Sequence, residues 1–288
     1  MYVKFYKGIS KFIEISYDFL IEREAENNLI FGLLNALKDN PFRYGEENPI
    51  LTAVFKDEDI KLISIRTPPF SQVLSYTNDI DSIDVLIERL NEKQYILPGV
   101  LGGKDATTRF VKLWTELNSL EFKLAANERI YRLTEVDNST LGNRDFVLAS
   151  EAFEELILHW AKDFIIEAFA ESQQETEKYL SSINRLKDDV KNKKFYLLID
   201  KNEPVSMVRE AMKTPNGTSI NYVYTPPHLR RRGYATECVA KLSKKLLERG
   251  NKFCFLFTDL MNPTSNSIYQ KVGYRPVIDV DQYDFINP

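Results

Sequence analysis

Apolar residues recur at three- and four-residue intervals in two stretches near the N-terminus. Phe12, Ile15, Phe19 and Leu20 share a face of residues 9–25, and Leu29, Ile30, Leu33, Leu34 and Leu37 share a face of 27–37. Both predict amphipathic helices, and Asn40-Pro41 ends the second because a residue before proline resists the α region. The period then drops to two. Residues 50–55 and 60–67 alternate like half-buried strands around the acidic turn 56–59, and 73–76 adds a third strand after Pro68-Pro69. A helix over 83–91, a short strand over 95–101 and a helix over 106–117 complete the first half. The order is helix, helix, three strands, helix, strand, helix.

The second half repeats that order. Residues 122–136 read as extended. The stretch 151–170 carries apolar residues at 153, 156, 157, 160, 161, 164, 165 and 168, an unbroken helical face. Ser150 predicts its N-cap, and Glu151, Glu154 and Glu155 suit the positive end of the helix dipole. Tyr179, Leu180, Ile183, Leu186 and Val190 predict a second helix, followed by strands over 195–199, 205–212 and 219–224. A helix over 235–249 ends at Gly250, a strand covers 253–258, a helix over 263–271 ends at Gly273, and an extended segment runs to Phe285. Two copies of one order in 288 residues predict a tandem α+β protein with domains 1–125 and 126–288.

Composition narrows the class. With 43% apolar and 28% charged residues, the chain reads as a soluble globular protein; residues 1–5 do not read as a signal peptide, and no 18-residue apolar run occurs. The net charge of −4 argues against general nucleic-acid or anionic-membrane binding. Two cysteines, Cys238 and Cys254, make no disulfide framework and fit a reducing cytoplasm. His159 and His228 stand without a His/Cys cluster, so no zinc site is expected.

Against this acidic background, residues 222–236 form a local basic exception, with Arg230, Arg231 and Arg232 before Gly233. A strand ending at Tyr224, a Pro226-Pro227 break, a glycine turn and a helix beginning near Ala235 would present unpaired amides to an anion. The alternative is a solvated basic turn. Arg230-x-x-Gly233-x-Ala235 resembles the element that binds the coenzyme A pyrophosphate in the GNAT superfamily of N-acyltransferases. Asn262-Pro263-Thr264-Ser265-Asn266-Ser267-Ile268-Tyr269-Gln270-Lys271-Val272-Gly273-Tyr274 resembles that family's second signature, in the right order and one helix and one strand later.

The resemblance implies two GNAT-like domains in tandem, each a mixed, mainly antiparallel sheet flanked by helices. It implies acetyl-CoA as co-substrate and a small-molecule or peptide amine as acceptor. Cofactor contacts would come from Tyr222, Val223, Tyr224, Arg230, Arg231, Arg232, Gly233, Tyr234, Ala235, Thr236, Asn262 and Ser265. Tyr269 would give a proton to the leaving sulfur, its competing role being to pack beside Ile268 and Val272. The sheet would splay near Tyr222–Tyr224 to free backbone amides. In the first half, Thr77-Asn78-Asp79-Ile80-Asp81-Ser82 has two acids and no glycine or arginine, so that domain reads as degenerate, without a cofactor loop. The general base stays open among His228, Glu210, Asp259 and water, with His159 read as structural. A coenzyme A-binding sensor with decayed catalysis is the alternative function. Monomer and homodimer both fit.

Overall fold

The computed structural model describes residues 1–168, 176, 177, 180 and 183–287. The first half contains β1 (Tyr2–Tyr6), α1 (Ile9–Ile21), α2 (Asn28–Asp39), β2 (Ile50–Lys56), β3 (Asp59–Arg66), β4 (Gln72–Leu74), α3 (Asp81–Glu92), β5 (Gly99–Gly103), α4 (Lys104–Asn118) and β6 (Glu121–Leu133). The second contains β7 (Asp145–Leu148), α5 (Glu154–Ala168), α6 (Arg185–Lys191), β8 (Phe195–Asp200), β9 (Glu203–Lys213), β10 (Gly217–Tyr224), α7 (Tyr234–Glu248), β11 (Phe253–Asp259), α8 (Pro263–Val272) and β12 (Arg275–Ile286).

Where the elements depart from the hydrophobic pattern, the cause is local. β1 and β7 were not anticipated: at five and four residues they are too short to show a period, and they form the two edges of the sheet. The strand expected at 95–101 sits instead at Gly99–Gly103, whose three glycines give no strand signal. A Cβ on Gly99 would stand 2.2 Å from the Tyr283 carbonyl oxygen, so close strand approach requires the glycine. The first helix stops at Ile21, and Glu24 beyond it accepts hydrogen bonds from the backbone and side chain of Asn216 in the second half, both at 2.7 Å. Ser150 stands at the N-cap of a 3₁₀ turn, Glu151–Phe153, but makes no side-chain cap hydrogen bond. Phe169, Ala170 and Tyr179 lie outside the described residues.

Over the described residues the strands form one twelve-stranded mixed sheet, ordered β1-β2-β3-β4-β5-β12-β6-β11-β10-β9-β8-β7. All neighbours are antiparallel except β4–β5 and β10–β11. Alternation along the strands divides the core. Leu51, Ala53, Ile63 and Ile65 pack under α1 and α2, while Val54, Leu62 and Val100 pack under α3 and α4. In the second half Phe195 and Leu197 pack under α5 and α6, and Tyr196, Leu198, Cys254 and Leu256 pack under α7 and α8. Each fully buried large apolar side chain stabilises the fold by about 1.5–3 kcal/mol.

The centre of the sheet is exchanged. β6 follows the first half's last helix yet lies against β11, and β12 follows the second half's last helix yet lies against β5. The two strands pair with each other from Glu121↔Ile286 to Arg132↔Arg275. Arg129 locks them with two hydrogen bonds to Asp279, at 2.5 and 2.9 Å, which hold that carboxyl below its usual range. The boundary expected between residues 125 and 126 falls inside β6. A chain beginning at residue 134 would leave β11 and β12 without the strand between them. It should show no cooperative urea transition by near-ultraviolet circular dichroism, and a sharp transition in that fragment would make β6 dispensable.

Candidate active site

β10 pairs with β11 only through residues 217–219. Beyond that point β11 stays with β6 as far as Asp259, and β10 stays with β9 as far as Tyr224. A register shift between Asn221 and Tyr224, with Tyr222 at φ +48°, bends β10 away. Among the described residues, the edge of β10 facing the gap therefore carries backbone polar groups with no strand partner on that side, at Tyr222, Val223 and Tyr224. The rings of Tyr222 and Tyr224 pack on α5, with Tyr222 5.2 Å from Phe164 and Tyr224 6.2 Å from Trp160.

A 3₁₀ turn at Pro227–Leu229 leads to Gly233, the N-cap of α7 at φ +81°. That conformation favours glycine, and a Cβ built there would meet nothing within 4 Å, so the helix start opens outward. The first amides of α7, at Tyr234, Ala235 and Thr236, have no intrahelical acceptor, and the dipole favours an anion beside them.

The arginines divide. Arg230 is engaged by protein: its Nε donates to the Thr225 carbonyl at 2.9 Å, and its Nη2 donates to both oxygens of Glu167 at 2.6 and 2.9 Å. The Tyr224 hydroxyl donates to the same carboxylate at 3.3 Å, and burial, then the charge of Glu167, pushes that phenol up to about 12. Arg230 thus braces the turn onto α5. Arg231, at φ +64°, and Arg232 are exposed and make no ion pair among the described residues.

Tyr234 turns inward, contributing its backbone rather than its ring to the helix start. Its hydroxyl donates to Asp200 at 2.6 Å, holding that carboxyl below its usual range, and the Arg144 guanidinium lies 4.7 Å from its ring. Below it, buried Glu237 accepts from the Arg144 amide at 2.9 Å and pairs with the Arg144 guanidinium and Lys241. This network pins the first turn of α7 to the loop before β7.

On α8, Asn262 caps the helix by accepting from the Ser265 amide at 3.0 Å, with Pro263 at the first position. Gly273 ends it at φ +118°. Tyr269 is buried, its ring 6.4 Å from Tyr131 and 6.1 Å from Tyr274. Its hydroxyl makes no hydrogen bond to a described residue, and burial pushes the phenol up to about 12, so it holds its proton at neutral pH. Tyr131 of β6, unnoticed in the sequence, steadies the helix: it donates to Asn266 Oδ1 at 3.1 Å and accepts from Gln270 Nε2 at 2.9 Å.

The candidate bases divide. Glu210 pairs with Arg249 at 2.8 Å and Lys213 at 3.1 Å. Arg249 caps the far end of α7, a 15-residue helix about 22 Å long. His228 is exposed in the turn, and exposed His159 lies 3.5 Å from Asp163. Asp259 accepts from the Met261 amide at 2.7 Å and caps the turn into α8. A carboxyl with no signal in the sequence is Glu128 on β6, opposite Asp259, which burial and then the Asp259 charge push up to about 7.

The first half repeats the outline without the basic cradle. β4 pairs with β5 only at Gln72↔Val100 and Val73↔Leu101, and a cleft of about 250 Å³ opens beyond, lined by Ser75, Tyr76, Thr77, Lys104 and Asp279 among others. Its helix α3 starts with Ile80 at the N-cap and with Asp81 and Asp84 in the first turn, where carboxylates take the place of a bound anion.

The family described as FR47-like protein matches residues 197–283, from β8 into β12. No curated protein matches the chain. Among solved structures, a GNAT-family acetyltransferase from Colwellia psychrerythraea aligns over 99% of this chain and 100% of its own at 11% identity and a TM-score of 0.60. A Drosophila protein aligns over 99% and 98% at 12% identity and 0.66, and a GCN5-related N-acetyltransferase from Sphaerobacter thermophilus over 85% and 82% at 14% and 0.53. At these identities the likeness is one of fold, and it runs the length of the chain. The second half thus carries an FR47-like match, and over its whole length the chain is similar in fold to the GNAT-family acetyltransferase structure.

Proposed function

We propose that the chain is an acetyl-CoA-dependent N-acetyltransferase that passes an acetyl group directly to a primary amine of a small molecule or peptide, with the second half as its catalytic unit. The observation that carries this reading is the parting of β10 from β11 beside the uncovered start of α7. In it, the α7 amides with Arg231 and Arg232 hold the pyrophosphate, while Asn262 and Ser265 border the pantetheine arm. An amide near Tyr222–Tyr224 polarises the thioester carbonyl. Tyr269 protonates the departing thiolate. Arg230 and Tyr234 serve the site by fixing the turn and the first turn of the helix. The first half, with acids where the cradle would be, binds no acetyl-CoA. Among the described residues no helix is long and apolar enough to cross a membrane, in keeping with a cytoplasmic enzyme, monomeric or homodimeric.

Calorimetric titration should give micromolar acetyl-CoA binding to the wild type and at least about a hundredfold loss, about 2.8 kcal/mol, in Gly233→Glu. Melting curves would confirm that the variant folds. Binding that survives in the variant would remove the cradle from the site. Tyr269→Phe should keep the acetyl-CoA affinity and lose about 10²–10⁴ in turnover with an amine acceptor. Undiminished turnover would leave Tyr269 a packing residue only. A wild type that binds acetyl-CoA and acetylates none of a broad amine panel would be a coenzyme A sensor instead.

A further inference from the structure

We propose that Glu128, on the strand contributed by the first half, receives the ammonium group of a cationic acceptor at the second-half cleft and takes its proton. The inference rests on the acyl-transfer reading above.

Its basis is strand parity. β6 and β11 pair without a slip from Leu133↔Cys254 to Glu128↔Asp259. Tyr131 and Leu133 lie under α7 and α8, so the even positions of β6 face the other side, where Ile130 and Phe257 line a cavity with Leu29 and Ile30 of α2. Glu128 is the next position beyond Ile130 on that face, and Asp259 the next beyond Phe257. Asp259 lies in the part of β11 that β10 has already left, and Glu128 is paired with it from β6. Glu128 therefore opens toward the gap from the face opposite α8 and Tyr269. Direct transfer needs this division, with the acid on the sulfur side and the base on the amine side.

Glu128 is largely withdrawn from solvent yet keeps some accessible surface. It makes no hydrogen bond or ion pair among the described residues. Among the described residues no cation pairs with it. Asp259 faces it from β11 and Val280 from β12, while Arg129, its chain neighbour, points to the opposite face and is held by Asp279. Glu26, which lines the cavity, pairs with Arg23, and on α5 Asp163 and Glu167 pair with His159 and Arg230. A carboxyl this deep without a partner is costly to ionise, and a bound ammonium supplies the missing charge. The substrate class that fits is a primary amine carrying positive charge.

The step balances as follows. The ammonium gives one proton to the Glu128 carboxylate, the freed nitrogen lone pair attacks the thioester carbon, the C–N bond forms and the C–S bond breaks. Tyr269 protonates the sulfur and regains its proton from the nitrogen, while Glu128 releases its proton to solvent. The carboxyl pushed up to about 7 requires the acetylation rate to rise with pH through that value, because only the ionised form accepts the proton.

The test uses the full chain with ¹³C-labelled glutamate carboxyls and 1,4-diaminobutane as probe, in the presence of coenzyme A. One resonance should titrate near pH 7, vanish in Glu128→Gln, and shift its midpoint downward by about one unit at about 10 mM diamine. With the diamine as acceptor, Glu128→Gln should lower kcat/KM by about a hundredfold or more and abolish the rise near pH 7. Glu128→Asp should restore part of the rate, and acetyl-CoA affinity should be unchanged in both. A Glu128 resonance indifferent to the diamine, or full activity in Glu128→Gln, overturns the proposal while leaving acetyl-CoA binding intact. Failure of the wild type to bind acetyl-CoA would instead remove the reading beneath it.

Discussion

The pairing of β6 with β12 is the constraint on which the rest of the molecule depends. It runs the length of both strands, and each strand fills the position that the other half's sheet needs to continue. Individually its hydrogen bonds contribute about 0.5–1.5 kcal/mol each. Their larger effect is to merge the cores of the two halves. Tyr131 and Leu133 are packed into the core under α7 and α8, and Tyr283 and Phe285 into the core under α3 and α4. Neither half can close its apolar layer with its own strands alone.

That arrangement also governs the second-half cleft. β11 can be abandoned by β10 on one edge because β6 holds it on the other, so the gap is stable without collapsing. The same strand presents Tyr131 to α8 on one face and Glu128 on the opposite face. The first half repeats the parting of strands at β4 and β5 but begins its helix with aspartates. One backbone geometry thus appears twice, and local charge at a helix start separates the two copies.

What could be read from the sequence was local. α7 and α8 were placed within a residue because their caps, Gly233, Asn262-Pro263 and Gly273, lie beside the periodic stretches they bound. The places of Gly233 at a helix start and of Tyr269 on a helix were legible for the same reason, being fixed by neighbours a few positions away. β5 was misplaced because Gly99 answers to Tyr283 and Gly103 to Ile278, both in a strand far along the chain. Arg230 was read as a phosphate ligand because its partner Glu167 lies on α5 and gives no local sign of the pairing. Glu128, Tyr131 and the Arg144–Glu237 pair were invisible for the same reason. Their significance comes from strand exchange and helix docking, which no short-range pattern encodes.

Exchange of central strands between separate subunits would make a complete sheet dependent on protein concentration. Here both strands belong to one chain, and their meeting is an intramolecular event whose effective concentration is set by the tether, on the order of millimolar for short connections. The second-half cleft therefore keeps its β6 wall at any dilution, and a first half without a cradle of its own stays obligatory as a structural subunit that can never dissociate.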